Sequence, residues 1–152
     1  MIGIIDYNMG NLASVYNACK LIDADATIVK NPEDLKKFNR VILPGVGAYK
    51  DAMEHLIQTG MNEAVYEFAK TGKPMIGICL GMQLLFESSQ EFGHSDGLGL
   101  IDGHVIKFDK SKMHEDFKIP HMGWNTIKNK ENPLFEGLKD PYLYFVHSYH
   151  AV

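Results

Sequence analysis

With 152 residues and 45% apolar content, the chain has the length of one domain and enough hydrophobic material for a sizeable core, so one domain over residues 1–152 is expected. A net charge of −4 with acidic and basic residues interspersed argues against a nucleic-acid partner, because no run of lysines and arginines is present to neutralise phosphates. Two cysteines, Cys19 and Cys79, far apart and in different contexts, suggest neither a disulfide framework nor a thiolate zinc site, and no apolar stretch has the length of a signal-peptide core or membrane span, which points to a cytoplasmic chain without a membrane partner.

Ile2 to Ile5 is a short apolar run closed by Asp6 and the turn-forming Asn8 to Asn11, which predicts a strand and then a loop. Leu12, Val15, Cys19 and Ile22 recur at helical spacing behind Asn11, a suitable N-cap. Ala26 to Val29 and Val41 to Leu43 are further strand candidates, with an amphipathic stretch around Leu35 and Phe38 between them. Helical patterns around Leu56 and around Val65, Phe68 and Ala69 lead through Gly72 to a strand candidate at Pro74 to Ile78. Alternating strands and helices with nearly continuous apolar strands predict an α/β fold, a flavodoxin-like doubly wound, mainly parallel sheet with helices on both faces. Beyond Ser88, Gly-rich turns and strand candidates at Val105 to Phe108, Asn125 to Ile127 and Tyr142 to Val146 predict a small antiparallel flanking element.

Gly77-Ile78-Cys79-Leu80-Gly81 has the Gly-x-nucleophile-x-Gly form of a nucleophile elbow and lies between a predicted strand and a predicted helix. The glycines suit a turn too tight for side chains on either side of the nucleophile, and the positive end of a following helix would favour a thiolate. A buried structural cysteine is the alternative. Pro44-Gly45-Val46-Gly47 follows the strand Val41 to Leu43 at the carboxyl edge of a parallel sheet, where ligands bind. The N–H groups of Val46 and Leu80 would make a two-donor oxyanion hole beside Cys79. Near the end of the sequence, His147 is a candidate general base and His147 with His150 are candidate metal ligands, although the pair lacks the carboxylates or cysteines of a metal site and none is expected. His94-Ser95-Asp96 and His114-Glu115-Asp116 lie in turn-rich segments and are expected to be solvated surface groups.

Five ordered motifs together resemble the triad-type, class I glutamine amidotransferases, and within them the glutaminase subunits that serve imidazole glycerol phosphate synthases in histidine biosynthesis. They are Asp6 to Leu12, Pro44 to Ala48, Gly77 to Gln83, Pro120 to Asn125 and Tyr144 to Tyr149. The resemblance implies that Cys79 attacks the side-chain amide of glutamine, that Val46 and Leu80 hold the oxyanion, and that Gly47, Gln83, Ser148 and Tyr149 surround the substrate. It further implies that no cofactor takes part and that ammonia passes within a heterodimer to a (β/α)₈-barrel cyclase subunit. Asn8, Asn11, Met122 and Trp124 would then lie near the docking face.

The family's catalytic base comes from a His-x-Glu, and none occurs in these 152 residues. The expectation is therefore a domain truncated at its carboxyl end, in which His147 is not the base, glutaminase turnover is low and a sheet edge is exposed. Two further readings fit the same motifs: a paralogous amidotransferase subunit serving another synthase, such as one for surface-glycan sugars, and a non-catalytic docking module.

Overall fold

The computed structural model describes residues 1–113, 117–128 and 132–152. Strand β1 (Ile2–Ile5) buries three of its four residues and ends at the buried Asp6. Helix α1 (Leu12–Leu21) starts behind Asn11, whose side-chain oxygen accepts the Ser14 N–H at 3.2 Å, as an N-cap should. Its apolar stripe is narrower than the spacing predicts: Cys19 is buried, but Ile22 has left the helix and is 74% exposed. Strand β2 (Ala26–Val29) is followed by a 3₁₀ turn, Pro32–Lys37, that buries Leu35. Strand β3 (Arg40–Gly45) runs two residues beyond the predicted Leu43. Helices α2 (Tyr49–Thr59) and α3 (Met61–Lys70) are divided by Gly60 at φ 71°, a left-handed conformation that glycine adopts without a steric penalty. Strand β4 (Met75–Cys79) and the single turn α4 (Leu80–Gln83) follow.

The four strands form a parallel sheet in the order β2-β1-β3-β4. This is the flavodoxin-like order, in which the chain moves out from β1 in one direction to β2 and in the other to β3. The switch point lies between β1 and β3, so the loops leaving their carboxyl ends share one edge of the sheet. Ile4, Ile5 and Leu43 from the strands and Leu56, Met61, Val65 and Phe68 from α2 and α3 are buried in the core. Strand β4 is at the sheet's edge, with Ile76 and Ile78 39% and 40% exposed.

The helix expected after Cys79 is only one turn long. The carbonyl of Leu84 accepts the Leu98 N–H and that of Leu85 accepts the N–H groups of Leu100 and Ile101, each at 2.8–3.0 Å, so both oxygens are already engaged outside any helix. The chain turns instead into β5 (Phe86–Ser89), which pairs antiparallel with β6 (Ser95–Asp96) and parallel with β7 (Ile101–Lys107).

Residues Met1–Ile106 with Ala151–Val152 form one compact unit, and Lys107–His150 form a second. The second unit is built on an antiparallel pair, β8 (His121–Thr126) and β9 (Tyr142–His147), in continuous register from His121↔His147 to Thr126↔Tyr142. Strand β8 begins four residues before the predicted Asn125. Pairing with the aromatic β9 draws His121 and Gly123 into the ladder against their weak strand propensity. A short β10 (Tyr149–Ala151) closes the sequence, and Val152 and His104 exchange backbone hydrogen bonds of 2.9 and 3.0 Å within the first unit.

Tyr49, the first residue of α2, is fully buried, and its hydroxyl has no hydrogen-bond partner among the described residues. Burial foremost, then the negative charge of Asp96 and the neighbouring Tyr66, pushes its ionisation from 10.0 up to about 12. The folded state thus holds this proton more tightly than the unfolded chain. The associated stability is complete below pH 10 and is lost as pH rises towards about 12. Tyr49→Phe removes an unpaired polar atom, so urea midpoints are expected to equal or exceed wild type at pH 7 and to fall less steeply between pH 10 and pH 12.

Candidate active site around Cys79

Strand β4 ends in a sharp bend at Cys79, which adopts φ 55° and ψ −118°. Positive φ at a side chain with a Cβ costs on the order of 1–3 kcal/mol and persists only where surrounding packing enforces it. The consequence is an exposed thiol, in contrast to the buried Cys19. The flanking glycines are required by space: a Cβ at Gly77 would run into the backbone of Met82, and one at Gly81 into the carbonyl oxygen of Leu43. Here the glycine spacing in the sequence and the geometry agree.

The β3–β4 register sets Gly45 directly across from Cys79. A Cβ on Gly45 would lie 2.5 Å from the Gly81 nitrogen, so the backbone of β3 rests against the first turn of α4. Val46 and Gly47 follow at once, both exposed, with Gly47 at φ 96°. Leu80 is buried and caps the other side of the bend, and Gln83, one helical turn on, is half-buried. The elbow and the Pro44–Ala48 loop, far apart in sequence, are therefore brought together as the motifs predicted. The dipole argument needs correction: α4 supplies only one turn of aligned peptides after Cys79, not a long helix.

Two side chains from outside this loop anchor its ends. The Tyr7 hydroxyl donates to the Pro44 carbonyl at 2.9 Å, in a buried setting that pushes the phenol's ionisation well above its usual range. At the other end, the Tyr49 N–H donates to the Glu91 carboxylate at 2.7 Å. Tyr7 lies inside a quoted motif, but Glu91 is 42 residues from its partner, and no local pattern reveals the contact. Asn8, at φ 67°, donates its N–H to Asp6, which also pairs with Lys30 at 3.5 Å. Asn8 and Asn11 are both exposed beyond the carboxyl end of β1, on the sheet edge that carries the Pro44–Ala48 loop.

In the second unit, His147 donates through Nδ1 to the Tyr149 carbonyl at 2.8 Å, and its Nε2 faces His121 Nδ1 at 3.0 Å. Phe108 stacks on His150 with ring centroids 4.6 Å apart and donates its N–H to the Ser148 carbonyl at 3.0 Å. Both histidines are thus engaged within their own unit. Cross-strand pairing puts Met122 with Val146, Trp124 with Tyr144 and Thr126 with Tyr142 on one face of the hairpin, and its apolar members are all about half exposed or more. Tyr149, half-buried, opens β10. His94 and Asp96 form an exposed surface pair at 3.0 Å, as expected, whereas His114 to Asp116 lie outside the described residues. Among the described residues no group of three or more histidine, cysteine or acidic side chains is placed to hold a metal, and no helix is long and apolar enough to cross a membrane.

A parallel sheet of flavodoxin-like order with a cysteine elbow facing a Pro-Gly-x-Gly loop defines an α/β protein with a thiol-based candidate site. The sequence model of the family described as glutamine amidotransferase class-I matches residues 3–152, and the chain belongs to that family. It is 61% identical over 153 residues to the imidazole glycerol phosphate synthase subunit HisH of Sulfurimonas denitrificans, and 60% identical over 154 residues to that of Wolinella succinogenes. These alignments cover 100% of this chain and 74% and 75% of the relatives. A solved glutamine amidotransferase superposes with a TM-score of 0.72 over 95% of this chain and 70% of its own, at 18% identity, which supports the fold.

A disulfide thiol reagent is expected to titrate one thiol rapidly in the native protein and two in denaturant, with the rapid one lost in Cys79→Ser. Gly81→Ala should destabilise the fold by about 1–3 kcal/mol in urea unfolding, because the rigid Leu43 backbone has no room for the methyl group.

Proposed function

We propose that this chain is a glutaminase subunit that hydrolyses glutamine and delivers ammonia to a partner synthase subunit in imidazole glycerol phosphate synthesis, and hence in histidine biosynthesis. The observation that supports the reading is the pairing of an exposed Cys79 with Gly45, the residue before Val46.

In this proposal the Cys79 sulfur adds to the side-chain carbonyl carbon of glutamine. The oxygen takes the negative charge and is stabilised by the N–H groups of Val46 and Leu80, each such donor contributing about 3 kcal/mol to the transition state. Collapse of the tetrahedral intermediate breaks the C–N bond as the amide nitrogen takes up the proton given up by the thiol, so that neutral ammonia leaves and a glutamyl thioester remains, which water hydrolyses to glutamate with return of a proton to the Cys79 sulfur. Gly47, Gln83, Ser148 and Tyr149 are the proposed substrate contacts. Ammonia reaching open water would be largely protonated and no longer nucleophilic, which gives a physical motive for its transfer across a closed interface. The partner is proposed to be a (β/α)₈-barrel cyclase subunit in a cytoplasmic heterodimer, meeting Asn8 and Asn11 in one unit and the apolar hairpin face with Met122 and Trp124 in the other.

No His-x-Glu occurs in residues 1–152, so steady turnover by this polypeptide alone is expected to be about 10⁴-fold or more below that of an amidotransferase with its base. The decisive experiment is covalent. A chloromethyl ketone analogue of glutamine should form a one-to-one adduct at Cys79, prevented by excess glutamine and absent in Cys79→Ser. No adduct, or an adduct indifferent to glutamine, would sink the reading. Separately, Trp124→Ala should weaken association with the synthase partner by about 2 kcal/mol, roughly 30-fold in Kd by calorimetry, as for a large aromatic at an interface centre.

A further inference from the structure

Alternation along β8 and β9 gives the hairpin of the second unit two faces. Met122 and Trp124 lie on one, and His121 and Asn125 lie with Phe145 and His147 on the other. On that second face the polar side chains are joined in a chain. His147 Nδ1 donates to the Tyr149 carbonyl at 2.8 Å, across a bend that contains only Ser148. His147 Nε2 is 3.0 Å from His121 Nδ1, and His121 Nε2 is 2.8 Å from Oδ1 of Asn125. The His121 ring stacks on Phe145 with centroids 5.0 Å apart. Beyond the bend, the Ser148 carbonyl accepts the Phe108 N–H at 3.0 Å, and the Phe108 ring stacks on His150.

A proton count fixes the direction of this chain. A carbonyl oxygen can only accept, so His147 Nδ1 carries a hydrogen, and in a neutral imidazole Nε2 is then left with a lone pair. That lone pair needs a donor, and His121 Nδ1 is in place to supply it. Asn125 can offer an oxygen or an N–H to the far nitrogen of His121, so the chain closes whether His121 is neutral or charged.

We propose that His121 is a positioning residue for substrate binding: by donating to His147 it holds the Nδ1–H tautomer that fixes the Tyr149 carbonyl, and so sets the Ser148–Tyr149 segment in the form that receives glutamine. The inference rests on the glutaminase reading given above, in which Ser148 and Tyr149 touch the substrate. The relay lies wholly in the second unit, whereas Cys79 belongs to the first, so its effect is on binding and not on the chemical step.

Two variants separate the donor from the ring. His121→Phe keeps an aromatic ring against Phe145 but has no N–H, whereas His121→Asn gives up the ring and puts an amide N–H near the position of Nδ1. Labelling of Cys79 by the chloromethyl ketone analogue of glutamine, followed to saturation, should show half-saturation raised about 5- to 10-fold in His121→Phe, with the maximal rate within about twofold of wild type. His121→Asn should recover most of that loss. Proton–nitrogen correlation spectra of the imidazole rings at about pH 8.5, where histidine is ordinarily neutral, should show His147 as the Nδ1–H tautomer in wild type and in His121→Asn, and as a mixture of tautomers in His121→Phe. Unchanged half-saturation in His121→Phe, a loss confined to the maximal rate, a His121→Asn variant as impaired as His121→Phe, or a wild-type His147 in the Nε2–H form would each overturn the proposal. Should the ketone fail to label wild-type Cys79, the glutaminase reading falls and the binding role falls with it. An Nδ1–H tautomer at His147 in that sample would trace the failure to the reading and not to the relay.

Discussion

The closeness of two backbones, that of β3 at Leu43 to Gly45 and that of the first turn of α4, governs the geometry of this protein. No Cβ fits at Gly45, Gly77 or Gly81, so these glycines form a corridor in which main chain meets main chain. Opening that corridor would part Gly45 from Cys79 and separate the loop from the sulfur. The approach also imposes the positive φ at Cys79, a strain on the order of 1–3 kcal/mol. Burial of the adjacent Leu80 contributes about 1.5–3 kcal/mol and is sufficient to offset it. The bend is thus stabilised by its own neighbour, and the exposed thiol results from packing beneath it.

The sheet's topology puts this bend where other chain segments can act on it. With the strands in the order β2-β1-β3-β4, the loops after β1 and β3 emerge side by side at the switch point. The buried Tyr7 hydroxyl joins the two, and the Pro44 ring lies 3.3 Å from where a Cβ on Gly10 would stand. Asn8 and Asn11 therefore share an edge with Val46 and Gly47. With Asn8 and Asn11 at the proposed docking face, an edge continuous with the reactive loop would shorten the path that a small, easily protonated product must keep dry.

Much of this architecture is legible in the sequence because it rests on local signals. Strands β1 and β2 match their apolar runs residue for residue, Asn11 caps α1 as its side chain predicts, and the patterns around Leu56 and around Val65 and Phe68 fall in α2 and α3. The elbow is legible for a different reason: its glycine spacing reflects a steric requirement that holds wherever such a turn forms. What escapes is set by distant partners. The helix after Cys79 ends after one turn because the Leu84 and Leu85 carbonyls bond to Leu98, Leu100 and Ile101, and nothing within residues 80–86 announces that competition. Strand β5, with Glu87, Ser88 and Ser89 in its four residues, lacks strand propensity and is held by β6 and β7. The Glu91–Tyr49 contact belongs to the same class.

The brevity of α4 also bears on how a reactive site is made here. A long helix pointing at a thiol stabilises charge through many aligned peptides, and its effect tolerates small displacements because it comes from the whole element. One turn offers only its nearest amides, and hydrogen bonds to a developing oxyanion lose strength steeply with distance and angle. A site built this way depends on where a few N–H groups stand to within a fraction of an ångström. In the proposed reading that requirement would account for the buried tyrosine tied to Pro44. The Tyr7 hydroxyl and the Glu91 carboxylate each bond to main chain at the two ends of this loop, so its backbone is fixed by side chains from distant parts of the sequence.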